Sequence, residues 1–263
     1  MPISEQPLPA KTADLAELIR RVNESPLKVE ALKLTVIYEL MGGSINTGEI
    51  SNYRETDGFI LLRKPGMIRL IGEAFKVKVF DMVSDGREFR IYVPPKNKFF
   101  HGLNGQEIRP KKDVPVSLRP QHIFNALVIE PLELKENQNQ LVIEEEQEGK
   151  RKYYVLMRLR QSGSHVLQLE RKIWIDRFDL NLVRQKIYDN GRVQSEMIYS
   201  DFKEFSGGTY PAVINFKRPQ EEYSLRIRIS KATINGSLKD EQFALEQPPG
   251  TELVDLAKSS NSP

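Results

Sequence analysis

The chain has 263 residues, 39% of them hydrophobic against 29% charged, which is enough apolar material to bury a core and far from the composition of a disordered chain. Its 39 Lys and Arg are set against 36 Asp and Glu, so the net charge is only +3, and no basic face interleaved with aromatics is offered to nucleic acid. There is no cysteine, which excludes a disulfide framework, a thiolate zinc cluster, a thiol nucleophile and, as the chain stands, a lipidated N-terminal Cys.

Residues 1–11 carry Pro2, Pro7 and Pro9 and no apolar run, so they read as the stub left once a signal or anchor segment is removed, not as a signal peptide or a membrane span. Over 12–24, Leu15, Leu18, Ile19 and Val22 fall at helical spacing, with Thr12 placed to cap and Asp14 in the first turn. Ser25 and Pro26 are expected to end this amphipathic helix. The period then changes: Leu32, Leu34, Val36, Tyr38 and Leu40 alternate with Lys33, Thr35 and Glu39, as a strand wet on one face requires, Ile37 being the exception.

Gly42-Gly43, Asp57-Gly58, Pro65-Gly66, Asp85-Gly86, Pro94-Pro95 and Asn190-Gly191 then read as turns between runs rich in β-branched and aromatic residues. Strands are expected at 59–63, 67–72, 76–83, 88–93, 153–160, 166–175, 182–188, 194–199, 212–216 and 223–229. Such frequent punctuation implies an antiparallel meander. One helix interrupts it, with Pro120 suited to a first helical position, an apolar stripe of Ile123, Phe124, Leu127 and Val128, and an end before Pro131. The Glu-rich stretch 133–152 reads as an exposed hairpin, and the residues after Leu256 as a mobile tail.

Catalytic sets are scarce. His101, His122 and His165 have no second His or paired carboxylate at metal-ligand spacing and read as surface or strand residues, His122 being the first to reconsider because it sits beside the short helix. No phosphate-cradling Gly motif appears, and Ser162-Gly163-Ser164 lacks the flanks of a nucleophile elbow and reads as a tight turn. Carboxylate pairs from distant strands stay open, but with 36 acids a chance pairing means little. The basic clusters Arg109, Lys111, Lys112 and Lys150, Arg151, Lys152 read as solvated loops, with a weak attraction to anionic lipid as the functional alternative. Trp174 reads as ordinary sheet packing, or else as part of a cavity wall, and Leu40 and Met41 are expected at a hairpin tip that could touch membrane or a partner.

Three segments in order resemble one family. Leu61-Leu62-Arg63-Lys64-Pro65-Gly66-Met67-Ile68-Arg69 is similar to a strand, basic-Pro turn and strand; Val83-Ser84-Asp85-Gly86-Arg87-Glu88-Phe89-Arg90-Ile91-Tyr92-Val93-Pro94 is similar to a strand pair ending in Tyr-x-Pro. Asp240-Glu241-Gln242-Phe243 followed by Pro248-Pro249-Gly250-Thr251-Glu252-Leu253-Val254-Asp255 is similar to a closing stretch, and Trp174-Ile175-Asp176 and Asn190-Gly191 fit between. Together they resemble the LolA and LolB lipoprotein carriers of bacteria over about 13–256, the order of the motifs carrying more weight than any one of them.

The resemblance implies a mainly β (α+β) fold: an incomplete antiparallel β-barrel, or strongly curved sheet, whose concave face is covered by helices. It further implies one LolA/LolB-like domain over 12–256, flexible tails at 1–11 and 257–263, and an apolar cavity that receives acyl chains without a cofactor. The lining would be Leu34, Val36, Tyr38, Leu70, Phe89, Ile91, Ile123, Phe124 and Leu127, with facing assigned by strand parity. In the periplasmic carrier the turn's basic residue is an Arg that holds a helical lid. Here Lys64 stands in that place, preceded by Arg63, so these two are the candidate latch, although Lys lacks the planar fork.

A non-catalytic, monomeric carrier or acceptor of lipid or lipoprotein acyl chains at the bacterial cell envelope is thus expected, in the periplasm or at the outer membrane, with peripheral or lipid-anchored membrane contact and no nucleic-acid partner. A structural or adaptor domain of an envelope complex, using a sheet edge or the Leu40-Met41 tip, is the alternative; a hydrolase built on carboxylates from separate strands is a third reading.

Overall fold

The computed structural model describes residues 9–44, 49–52, 55–105, 119–133, 139–162 and 166–256. The first element is α1 (Leu15–Lys28), whose Leu18 and Val22 are fully covered while its Glu17, Arg20 and Arg21 pair with one another on the wet side. Its cap is Asp14, not Thr12: the Asp14 carboxylate accepts the Glu17 amide at 2.8 Å, satisfying a donor that the helix cannot, and Thr12 lies two positions outside. Nor does the helix stop at Ser25 and Pro26. It runs to Lys28, because a proline this close to the C-terminus removes a single ladder bond with only two residues to follow.

The strands are β1 (Ala31–Ser44), β2 (Glu49–Asn52), β3 (Thr56–Arg63), β4 (Met67–Ala74), β5 (Val77–Ser84), β6 (Glu88–Val93) and β7 (Lys98–Leu103). After α2 (Pro120–Leu127) come β8 (Asn139–Glu148), β9 (Arg151–Gln161), β10 (Leu167–Asp176), β11 (Leu182–Asp189), β12 (Arg192–Phe205), β13 (Gly208–Arg218), β14 (Tyr223–Ile234) and β15 (Glu252–Asp255). They build one sheet in the order β15-β7-β6-β5-β4-β3-β1-β14-β13-β12-β11-β10-β9-β8, with β2 added to β1. Neighbours are antiparallel except β15, which lies parallel to β7. The edges β15 and β8 do not meet, so the sheet is strongly curved but not closed, an incomplete barrel. Two meanders, β3 to β7 and β8 to β14, are joined through β1 and β14, where Leu32 pairs with Ile234 across most of the chain.

Two expected turns are strand instead. Gly42-Gly43 lies inside β1, with Gly42 opposite Ser51 and Gly43 opposite Ile50 of β2, so the chain reverses later, beyond Ser44. Asp57-Gly58 lies inside β3, and there the glycine answers a close approach: a Cβ on Gly58 would sit 2.0 Å from the Ile71 carbonyl oxygen and 2.6 Å from the Tyr38 ring. Across from it Gly72 makes room for the Phe80 ring, which meets Tyr38 edge to face at 5.5 Å between centroids. Asp-Gly is a hairpin signal only where no ring needs the space. The Glu-rich stretch is a hairpin as expected, β8 turning into β9 at Gly149 and Lys150, whereas β2, β7 and β15 had no counterpart among the expected strands.

The largest apolar cluster fills the concavity between α2 and β1, β3 to β7 and β12 to β14. A second lies under α1, where Leu18 and Val22 meet Tyr154, Leu156, Ile173 and Ile175 of β9 and β10. Trp174, between those two isoleucines, points to the opposite face and packs with Tyr153 and Val155, its indole N–H donating to Glu146 at 3.2 Å. That is ordinary packing on the outer side of the sheet. Lys11 lies against the turn after β10, exchanging hydrogen bonds with Arg177, whose guanidinium also covers the Tyr154 ring.

Candidate functional site

The site centres on α2. An eight-residue helix has no stability of its own in water, so its neighbours must hold it. Ile123, Phe124, Ala126 and Leu127 face the sheet and are buried. The carbonyls that a helix leaves unpaired at its C-terminus are met by side chains from distant strands: the Tyr199 hydroxyl donates to Ala126 O at 3.1 Å and the Tyr210 hydroxyl to Leu127 O at 2.6 Å. Behind them Gln185 donates to the Tyr199 oxygen at 2.6 Å and accepts from Arg171 Nε and Nη2 at 3.1 and 2.8 Å, while Arg171 Nη1 donates to Glu130 O at 2.6 Å. Asn23 of α1 brackets Leu132, accepting its amide at 2.6 Å and donating to its carbonyl at 3.1 Å.

Burial governs the ionisation of this clamp. It pushes the Tyr199, Tyr210 and Tyr223 hydroxyls far up, so they remain donors at any physiological pH. Burial also lowers Arg171 to about 10, which leaves it charged, and together with the nearby Arg218 and Arg119 charges it brings His122 down to about 3, which leaves that ring neutral. His122 is hydrogen-bonded to the Tyr223 hydroxyl at 3.1 Å, at the other end of the helix, where Arg119 also donates to Asn104 O.

Leu34, Val36, Tyr38, Leu70, Phe89, Ile91, Ile123, Phe124 and Leu127 are brought together in one cluster, each between 0 and 6% exposed. The sheet residues and the helix residues touch, so α2 itself occupies the concavity. Tyr38 also donates its hydroxyl to Phe59 O at 2.9 Å. Arg63 fastens the C-terminal segment: it donates to Leu238 O at 3.0 Å, pairs with Asp240 and covers the Phe243 ring, while Lys64 pairs with Glu30 at 3.6 Å beside α2. Leu40 and Met41 are not at a tip. They lie within β1, Leu40 packed against the main cluster and Met41 exposed at 42%, with β2 beside them.

Three grooves run around residues 125–131, and Val128 lines each of them. One, of about 430 Å³, lies between α1, the end of α2 and β12 to β13, with Val22, Leu127, Leu182, Phe202 and Ile234 in its walls. A second, of about 470 Å³, is polar and lies between α2 and β9 to β13. The third, about 590 Å³ and more open, runs past Lys64, Gln121 and Phe124.

His101 pairs with Glu88 at 3.2 Å on the far meander, and among the described residues no group of three or more His, Asp or Glu is placed to hold a metal ion. His165, the Gly163-Ser164 turn and Arg109, Lys111 and Lys112 lie outside the described residues, and Arg151 of the other basic cluster pairs with Asp176 at 3.1 Å. No helix among the described residues is long and apolar enough to cross a membrane. Sequence reasoning missed Arg171, Gln185, Tyr199 and Tyr210. A signal existed for Arg171, which shares the strand parity of the buried Ile173 and Ile175, where a charge is out of place.

Solved structures superpose on most of the chain at low sequence identity and share its fold. A LolA superfamily protein from Nitrosomonas europaea is similar with a TM-score of 0.52 at 11% identity, covering 89% of this chain and 99% of its own. A putative outer membrane lipoprotein-sorting protein domain from Vibrio parahaemolyticus has a TM-score of 0.51 at 11% identity, covering 87% and 94%. A DUF1329 family protein from Desulfovibrio piger has a TM-score of 0.55 at 13% identity, covering 87% and 95%. A family profile described as an uncharacterized protein matches residues 129–247. No curated protein matches this chain in sequence.

Proposed function

We propose that this protein takes up an acyl chain of a lipid or lipoprotein against the concave face of its sheet, acting without chemistry as a carrier or acceptor at the bacterial cell envelope. The observation that carries the reading is the place of α2: a short helix supplies Ile123, Phe124 and Leu127 to a cluster whose other walls are sheet, so lifting it opens an apolar trough. The energies match. Exposing those three side chains costs about 5–9 kcal/mol, and burying a chain of about 12 methylenes returns about 10 kcal/mol, so cargo and helix can exchange with little net change. A carrier needs such a balance, since it must release what it takes. The likeness in fold to a lipoprotein-sorting domain supports the same reading.

In this reading Leu34, Val36, Tyr38, Leu70, Phe89 and Ile91 line the trough, and the groove of about 430 Å³ at the end of α2 is the entrance. The test is native mass spectrometry of gently purified protein, followed by organic extraction. An acyl lipid released on extraction supports the proposal. A clean mass that stays unchanged after incubation with fatty acid, phospholipid and lipopeptide overturns it. The adaptor reading then gains, favoured by β8, an edge strand that exposes Val142 and Ile143.

A further inference from the structure

The polar groove of about 470 Å³ is lined by Arg158, Arg160, Arg171 and Arg218 against Glu130, Glu170 and Asp189. Arg171 of β10 and Arg158 of β9 stand directly opposite one another in register, a like-charge pairing that destabilises a sheet. Arg158 has Glu170 at 2.9 Å. Arg171 is only 2% exposed, yet among the described residues no carboxylate lies within ion-pair distance of it; its partners are the Gln185 amide oxygen and the Glu130 carbonyl. Those bonds use three of the five guanidinium N–H groups and leave two for another acceptor. Arg160, at the rim of the same groove, also has no carboxylate partner among the described residues, and Arg218 closes the far wall, paired with Glu221. A buried cation whose direct partners are all neutral oxygens is costly, and a groove that presents a second arginine without an ion pair is set up for an anion with several oxygens. The carboxylates Glu130 and Asp189 are exposed at its edge, and neither forms an ion pair with Arg171, which feels the Glu130 and Glu170 charges only at longer range.

We propose that this groove seats a phosphate group, with Arg171 at its floor and Arg160 at its rim. Resting on the acyl-chain reading above, we assign the phosphate to the head of an amphiphile whose tail turns past Val128, which lines both grooves, into the apolar groove beside α1. Arginine is suited to this because its planar fork offers paired donors to a phosphate and is cheaper to desolvate than an ammonium.

The test compares three probes on the full chain at low salt by calorimetry: monomeric dihexanoyl phosphatidic acid, dihexanoyl phosphatidylcholine and inorganic phosphate. The expected result is phosphatidic acid at least tenfold tighter than phosphatidylcholine, with Arg160→Glu removing that preference while binding of phosphatidylcholine is retained. Arg171→Gln should act in the same direction, and the exposed Arg160→Glu keeps the test valid if Arg171→Gln fails to fold. Inorganic phosphate binding as tightly as phosphatidic acid, and lost in Arg160→Glu, would support the phosphate seat but assign it to the free ion. Equal binding of both lipids with none of phosphate overturns the seat and leaves the acyl-chain reading standing. Binding of none of the three overturns both.

Discussion

Removing the Tyr210 hydroxyl tests the idea that α2 must lift before cargo can enter. Tyr210→Phe leaves the ring in the cluster but strips Leu127 O of its 2.6 Å partner in a place only 5% exposed. A buried carbonyl left without a donor costs roughly 1–3 kcal/mol. When the helix lifts, that carbonyl reaches water, so the penalty falls on the docked state alone and the lifted fraction should rise roughly 5- to 150-fold. If uptake draws on the lifted state, the apparent affinity for a fatty acid tightens by the same factor, because it scales with the competent fraction.

Thr251→Val is the control. Its buried hydroxyl donates to Pro248 O at 2.7 Å in the closing turn, away from α2 and the trough, so its loss should lower global stability without freeing α2. The assays are hydrogen exchange at residues 121–128, calorimetry with a fatty acid, and urea denaturation to match the variants in stability. Faster exchange at α2 with tighter uptake in Tyr210→Phe, and neither in Thr251→Val, is expected. Faster exchange with unchanged uptake, or the same change in both variants, refutes the lifting mechanism.

Three other perturbations follow from the geometry. Gly58→Ala places a methyl 2.0 Å from the Ile71 carbonyl and should destabilise by about 3 kcal/mol or more, read as a fall in the urea midpoint at unchanged slope. Arg63→Ala should loosen the C-terminal segment that it fastens, giving faster hydrogen exchange at residues 240–244 while exchange at α2 stays as it was; faster exchange at α2 instead would make Arg63 a latch on the helix. His122 is neutral in the fold because its folded pKa, about 3, lies below the unfolded value near 6.5. The stability tied to this group is therefore fully present above pH 6.5 and is lost as pH falls toward 3, with a slope of at most about 1.4 kcal/mol per pH unit. Urea titrations from pH 7 to 4 should show a steeper loss in the parent than in His122→Gln.

Period-two alternation made most of the fold legible. Leu32, Leu34, Val36 and Tyr38 announce β1 and its buried face, and the expected strands at 88–93 and 182–188 fall within a residue of β6 and β11. Where reading failed, the deciding contact was remote. Asp57-Gly58 has the chemistry of a turn, and only the Tyr38 ring twenty residues earlier and the Ile71 carbonyl explain why the glycine sits in a strand instead. Gly42-Gly43 is pulled straight in the same way by pairing with β2. The short strand β15 depends on its parallel pairing with β7, and β7 on β6, and both have little alternation to show.

That these apolar residues are buried together was legible because alternation selects buried positions, but burial does not distinguish a wall that meets cargo from one that meets a helix, and here the sheet residues meet Ile123, Phe124 and Leu127. Of the polar clamp only Arg171 left a signal, as a charge at the parity of buried isoleucines. Arg171, Gln185, Tyr199 and Tyr210 come from four different strands, and what unites them is a target, the carbonyls at the end of α2 and the segment after it, which no spacing in the sequence encodes. Their chemistry nevertheless says something that an apolar contact could not. Greasy packing lets a helix slide, whereas hydrogen bonds to particular carbonyls set one seat for it, and leaving that seat means exchanging a small number of directional bonds for water. If the protein takes up an acyl chain as proposed, a helix held by apolar contacts that the chain can replace, and by polar bonds that water can replace, would be stable when empty and displaceable when cargo arrives.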